Sequence, residues 1–200
     1  GALDSPVAEI SITVTPVNDA PVAHAQTASV NEDGTLEITL IGSDVDGDSL
    51  TFVAGTAGHG TGNLAGAVAT YAPAANCHGT DRFRFTANDG TLNSAAAAVS
   101  ITVSPVNDVP VAHAQSVTLH EDGTLEITLT GSDVDGDSLA FAVGTAGHGT
   151  VNLAGAVATY VPVTNYHGPD SFSFTVNDGM LDSAVAIVRA SRTASVCVIG

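Results

Sequence analysis

Shifted by 89 residues, the chain falls on itself: 59 of the 82 positions in 18–99 are identical to those in 107–188. "PVAHAQ" at 21–26 returns at 110–115, "EDGTLEITL" at 32–40 returns at 121–129, and "GTAGHGT" at 55–61 returns at 144–150. A tandem duplication of this kind means that whatever folds must fold twice, in a unit of a little under 100 residues. Residues 1–19 align with 90–108, so the chain is expected to open on the last strand and linker of an earlier repeat (1–17). Repeat 1 is then 18–106 and repeat 2 is 107–200. "LDSAVAIV" at 181–188 still follows the pattern, whereas "RASRTASVCVIG" abandons it, which predicts a divergent last strand.

Inside a repeat the apolar residues alternate. "TLEITL" places Leu36, Ile38 and Leu40 on one face and Glu37 and Thr39 on the other. "RFRF" directs Phe83 and Phe85 inward and Arg82 and Arg84 outward, and the second copy has Ser171 and Ser173 in place of the arginines. "VSITV" buries Val99, Ile101 and Val103. This predicts about seven strands per repeat, at 22–30, 35–40, 50–54, 61–65, 67–72, 82–87 and 95–104. The reading is all-β: two tandem immunoglobulin-like β-sandwich domains arranged end to end.

Charge narrows the function. Twenty-one Asp and Glu stand against four Arg and no Lys, a net charge of −17, which excludes nucleic acid and anionic membrane surfaces as partners. Without Lys there is no Schiff base, no Walker-type phosphate loop and no Lys–Asn isopeptide bond. No apolar run approaches the roughly 18 residues of a membrane span, so no membrane insertion is expected. Of the two cysteines, Cys77 has Tyr166 as its counterpart and Cys197 lies in the divergent tail; a buried small apolar role is expected for Cys77 rather than a disulfide framework.

"GSDVDGDSL" at 42–50 recurs at 131–139. Carboxylates about 5 Å apart repel by about 1 kcal/mol even in water, and hard oxygen donors at this density are what Ca²⁺ takes, six to eight per ion. The candidates are Asp44, Asp46 and Asp48 with Asp133, Asp135 and Asp137. The glycine falls one position early for an EF-hand and no glutamate closes the loop. Further acidic elements are the linkers (Asn18, Asp19; Asn107, Asp108), the "EDG" turns (Glu32, Asp33; Glu121, Asp122) and the "NDG" turns (Asp89; Asp178). In a sandwich, linker, "ED" turn and "NDG" turn can converge on one pole. Each short motif alone is also an ordinary turn.

Over residues 18–188 these motifs resemble the cadherin-like tandem repeats of large bacterial surface adhesins and secreted RTX-type proteins: "NDAPVA", an "ED" turn, "DVDGD", a "GTDRF" strand and "NDG". The resemblance implies Ca²⁺ at the junctions between repeats. The central junction would use Glu32, Asp33 and Asp89 with Asn107, Asp108, Asp133 and Asp135, and the leading one Asn18, Asp19, Asp44 and Asp46. It implies an extension module of an extracellular or cell-surface bacterial adhesin, with neighbouring repeats as partners and no enzymatic activity. The seven histidines are scattered without zinc-type spacing, and no Ser or Cys stands in a nucleophile context. A carbohydrate-binding module is the alternative, although no Trp is present to make a sugar platform. A further alternative is a filament in which strand 7–15 completes the second repeat of another copy, because an unpaired apolar strand is an aggregation hazard.

Overall fold

The computed structural model describes residues 1–120 and 123–192, in two compact units, Gly1–Pro105 and Val106–Gly200. Every regular element among the described residues is a strand, and no helix is long and apolar enough to cross a membrane. In the first unit these are β1 (Val22–Ala23), β2 (Gln26–Asn31), β3 (Leu36–Thr39), β4 (Gly42–Ser43), β5 (Thr51–Ala54), β6 (Gly60–Ala65), β7 (Val68–Pro73), β8 (Gly79–Asn88) and β9 (Ala97–Ser104). The second repeats them as β10 (Val111–Ala112), β11 (Gln115–Leu119), β12 (Leu125–Thr128), β13 (Gly131–Ser132), β14 (Ala140–Val143), β15 (Gly149–Ala154), β16 (Val157–Pro162), β17 (Asp170–Asn177) and β18 (Ala186–Arg192).

Each unit is a β-sandwich. In the first, β2, β9, β8 and β5 form one sheet in that order, β3, β7 and β6 form the other, and β1 pairs with β4. Pairing is antiparallel except that β2 runs parallel to β9, with Asn31 opposite Ser104. The period-two alternation directs Phe83, Phe85, Val99, Ile101 and Val103 from one sheet onto Ile38, Leu40, Ala69 and Tyr71 from the other. Their equivalents, with Phe172, Phe174 and Tyr160 at the centre, fill the second unit. Gly60 and Gly149 permit a close approach in each sandwich: a Cβ at either would lie 2.5 Å from the ring of Tyr71 or Tyr160.

The expected strand 22–30 is two strands. At His24–Ala25 the chain leaves β4 and crosses to β9 in the other sheet, a bend that uninterrupted alternation conceals. Gln26 secures the crossing: its Nε2 donates to the Thr39 carbonyl at 2.9 Å, and its Oε1 accepts from the Ile41 amide at 3.3 Å. Gln26→Ala is expected to lower stability by about 1 kcal/mol, read as a lower urea midpoint at unchanged m-value.

Residues 1–20 form no strand. Ile10, Ile12 and Val14, the counterparts of Val99, Ile101 and Val103, are 87, 82 and 86% exposed. The place such a strand would take is filled in each unit, by β9 in the first and β18 in the second. β18 includes the divergent "RASR": Ser116 to Leu119 of β11 lie opposite Arg189 to Arg192, and Ala190 is buried where Ile101 sits in repeat 1. The vacancy that strand donation would need in the second repeat is therefore occupied by the chain itself. Glu121, Asp122 and Cys197 lie outside the described residues.

Candidate metal centre

β8 and β9 run antiparallel, with Gly79 opposite Val103 and Phe85 opposite Ala97. The turn after β8 and the turn after β2 therefore lie at opposite ends of the sheet, separated by the ten residues of β8, or roughly 33 Å. Asp89 sits at the end where the incoming linker arrives. Glu32 sits at the other end, its amide donating to the Ser104 carbonyl at 3.0 Å. The expected convergence of "ED" and "NDG" on one pole is thus corrected for repeat 1, which has an acidic cap at the entry pole and a separate acidic turn at the exit pole.

The entry cap is built from three turns. Asp44 Oδ1 accepts from the amides of Asp46 (2.8 Å) and Asp48 (3.4 Å), wrapping "DVDGD" around that carboxylate, and Gly47 at φ +82° makes the bend. Asp46 Oδ2 accepts from the Asp19 amide at 2.8 Å, tying the linker to the turn. Asn18 Nδ2 donates to Asp89 Oδ2 and Thr91 Oγ1, both at 2.9 Å. Asp89 Oδ1 in turn accepts from the amides of Thr91 (2.6 Å) and Leu92 (2.7 Å). The Leu92 amide and the Asn18 amide group hold the Asp89 carboxyl well below the usual carboxylate range. Five carboxylates, those of Asp19, Asp44, Asp46, Asp48 and Asp89, thus belong to the linker and turns that these bonds tie together, in a chain without lysine.

Repeat 2 reproduces the cap. Asp133 Oδ1 accepts from Asp135 N (2.9 Å) and Asp137 N (3.3 Å), Asp135 Oδ2 accepts from Asp108 N (2.8 Å), and Asn107 Nδ2 donates to Asp178 Oδ2 (2.9 Å). Asn107 therefore pairs with Asp178 of its own repeat. The Leu181 amide holds the Asp178 carboxyl low, with Asn107 adding to it. Donor atoms of Asp133, Asp135 and Asp137 lie within 4.8 Å of one another. In both caps one oxygen is buried with no hydrogen-bond partner: Asp44 Oδ2 and Asp133 Oδ2.

A second carboxylate site lies at the exit pole. Asp81 is in phase with Phe83 and Phe85 and is 8% exposed. It accepts from Gly58 N (2.9 Å), Arg82 N (2.7 Å), His59 N (2.9 Å) and Tyr71 Oη (2.9 Å). Asp170 does the same in repeat 2, with Tyr160 Oη at 2.7 Å. Burial alone would push these carboxyls up, but the hydrogen bonds outweigh it and hold both below the usual range. Burial, then Asp81, pushes the Tyr71 hydroxyl up to about 12. The signal for Asp81 was in the sequence, since "DRFRF" carries an acidic residue at an inward position of the alternation.

Solved structures with the same fold include animal cadherins. Human protocadherin-24 EC1-2 superposes with a TM-score of 0.55 at 14% identity, over 90% of this chain and 100% of that one. Mouse cadherin-23 EC22-24 gives 0.54 at 15%, over 87% and 64%. The integrin beta-like protein B of Dictyostelium discoideum is 28% identical over 158 residues, 66% of this chain but only 8% of its own length. The sequence pattern of the family described as bacterial Ig domain matches twice, at residues 18–102 and 107–191. With both repeats covered, the chain belongs to the bacterial Ig domain family.

Proposed function

We propose that this chain is an extracellular, non-catalytic spacer segment of a bacterial surface or secreted protein, whose repeats bind Ca²⁺ in their entry caps and are stiffened at the linkers by it. One observation carries the reading: in each cap a buried carboxylate oxygen, Asp44 Oδ2 or Asp133 Oδ2, has no hydrogen-bond partner. Burying an unpaired anionic oxygen is strongly unfavourable unless a cation meets it. The donors are all oxygen, which selects a hard ion, and five carboxylates around flexible turns suit the variable coordination of Ca²⁺ better than the strict octahedron of Mg²⁺. The linker supplies part of each cap through Asn18 and Asp19 or Asn107 and Asp108, so ion binding acts on the linker as well as on the domain.

Scattering and calorimetry on the full chain test it. Millimolar Ca²⁺ is expected to raise the thermal midpoints and narrow the distribution of dimensions, while equal Mg²⁺ does neither. An unchanged scattering profile together with unchanged midpoints would refute the proposal.

A further inference from the structure

Repeat 1 has Cys77 where repeat 2 has Tyr166. Tyr166 lies flat against His148, with ring centroids 4.1 Å apart and planes 6° from parallel. His59 is the counterpart of His148. With a thiol in place of the phenol ring, a cavity of about 150 Å³ opens, bordered by His59, Tyr71, Cys77, His78 and Asp81. Asn76, in a left-handed conformation at φ 56°, turns the chain so that the consecutive residues Cys77 and His78 both border it. Cys77 is partly exposed rather than a sealed core residue, and it forms no disulfide among the described residues.

The two histidines share a second feature. His59 Nδ1 lies 3.8 Å from Asp81 Oδ1, and His78 Nδ1 lies 3.7 Å from Glu32 Oε2. Both carboxylates are almost wholly buried, whereas both rings are more than half exposed. A carboxylate on the Nδ1 side leaves the Nε2 of each ring to face an ion, and the outer-shell carboxylates of metal-ligating histidines stand on that side.

We propose that Cys77 Sγ, His59 Nε2 and His78 Nε2 form a site for a thiolate- and imidazole-preferring ion of the Zn²⁺ class, present in repeat 1 and blocked in repeat 2 by Tyr166. Sulfur and nitrogen donors separate it chemically from the oxygen-only caps, and it lies at the opposite pole of the sandwich. Three donors leave the fourth tetrahedral position to water. Among the described residues only Asp133, Asp135 and Asp137 have three donor atoms within 4.8 Å of one another, so the site closes around the ion by rotation of the two exposed rings.

The test uses the full chain carrying Cys197→Ser, which leaves Cys77 as its one thiol, in excess Ca²⁺ to occupy the caps. One equivalent of Co²⁺ should give thiolate-to-metal charge-transfer absorption and the d–d bands of a tetrahedral ion, and Zn²⁺ should displace both. Cys77→Tyr installs the residue that repeat 2 already accommodates, and it should weaken Zn²⁺ binding by about a hundredfold or more. His78→Ala, at an exposed position, should weaken it by about tenfold or more while the midpoint in EDTA stays unchanged. No charge-transfer band in the Cys197→Ser chain, or equal Zn²⁺ affinity in Cys77→Tyr or His78→Ala, overturns the proposal. The outcome is independent of whether the caps bind Ca²⁺.

Discussion

Asparagine at both Asp44 and Asp133 will abolish the calcium response and leave the calcium-free protein at least as stable as the parent. Each substitution preserves the turn, because an amide oxygen can still accept from the amides of Asp46 and Asp48, or of Asp135 and Asp137, as Oδ1 now does. What disappears is a charge and the buried oxygen that lacks a partner. In EDTA that loss relieves repulsion of about 1 kcal/mol for each close carboxylate neighbour. With calcium the sign reverses. Extracellular modules bind with Kd about 10⁻⁴–10⁻³ M, so about 10 mM Ca²⁺ stabilises one site by about 1.5–3 kcal/mol. For a domain of this size that is a rise in midpoint on the order of 10 °C. Calorimetry of parent and double variant in EDTA, Ca²⁺ and Mg²⁺ reads both signs at once. Asp44→Asn alone should silence the response of repeat 1 and spare that of repeat 2. A calcium-induced rise of parental size in the double variant would reduce these aspartates to turn residues.

The sandwich was legible because repetition and alternation are local properties of a string. Leu36, Ile38 and Leu40, or Phe83 and Phe85, declare their common face without reference to anything distant. The two-sheet crossing at His24–Ala25 was not legible: a strand that changes partners keeps its alternation, and the Gln26 bridge that marks the change is made through space. Nor was the short pairing of Gly42–Ser43 with Val22–Ala23, which carries no apolar signature. "RASR" reads as polar, yet Ala190 keeps the buried position and the strand continues through it.

The site was half legible. Residue types identified the acidic cap, while their allocation to poles required counting reversals. Each expected strand turns the chain end for end, so 22–30 delivers "NEDG" to the exit pole, 35–40 brings "DVDGD" back to the entry pole, and 82–87 returns "NDG" there as well. That count separates Glu32 from Asp89 and gathers His59, Cys77, His78 and Asp81 at the exit pole. Motif similarity grouped the acidic turns by their chemistry; strand parity groups them by position, and position decides which of them can share an ion.

Alanine at Asp81 will destabilise repeat 1 by about 3 kcal/mol, lowering its midpoint by on the order of 15 °C. One carboxylate there gathers donors from three separate places: the loop amides of Gly58 and His59, the Tyr71 hydroxyl from the opposite sheet, and the Arg82 amide. Without it these groups lose their acceptor at the end of a packed core, and the loop before β6 loses its anchor. Asparagine should be intermediate, since it keeps one acceptor but turns an NH₂ toward backbone amides that only donate. The pH dependence separates charge from packing. Because the folded carboxyl titrates below the unfolded value near 3.9, its contribution is complete above that value and is lost as pH falls through the folded pKa. The gap in midpoint between parent and Asp81→Asn should therefore hold from neutrality to about pH 4 and close below it. Tyr71 sets the alkaline limit: its contribution is complete below about pH 10 and is lost as pH rises to about 12. Asp170 and Tyr160 repeat the pair, so Asp170→Ala should transfer the loss to the second unit and leave the first melting as before. A parent–variant gap unchanged down to pH 2 would assign the effect to shape alone, with the charge of Asp81 contributing nothing.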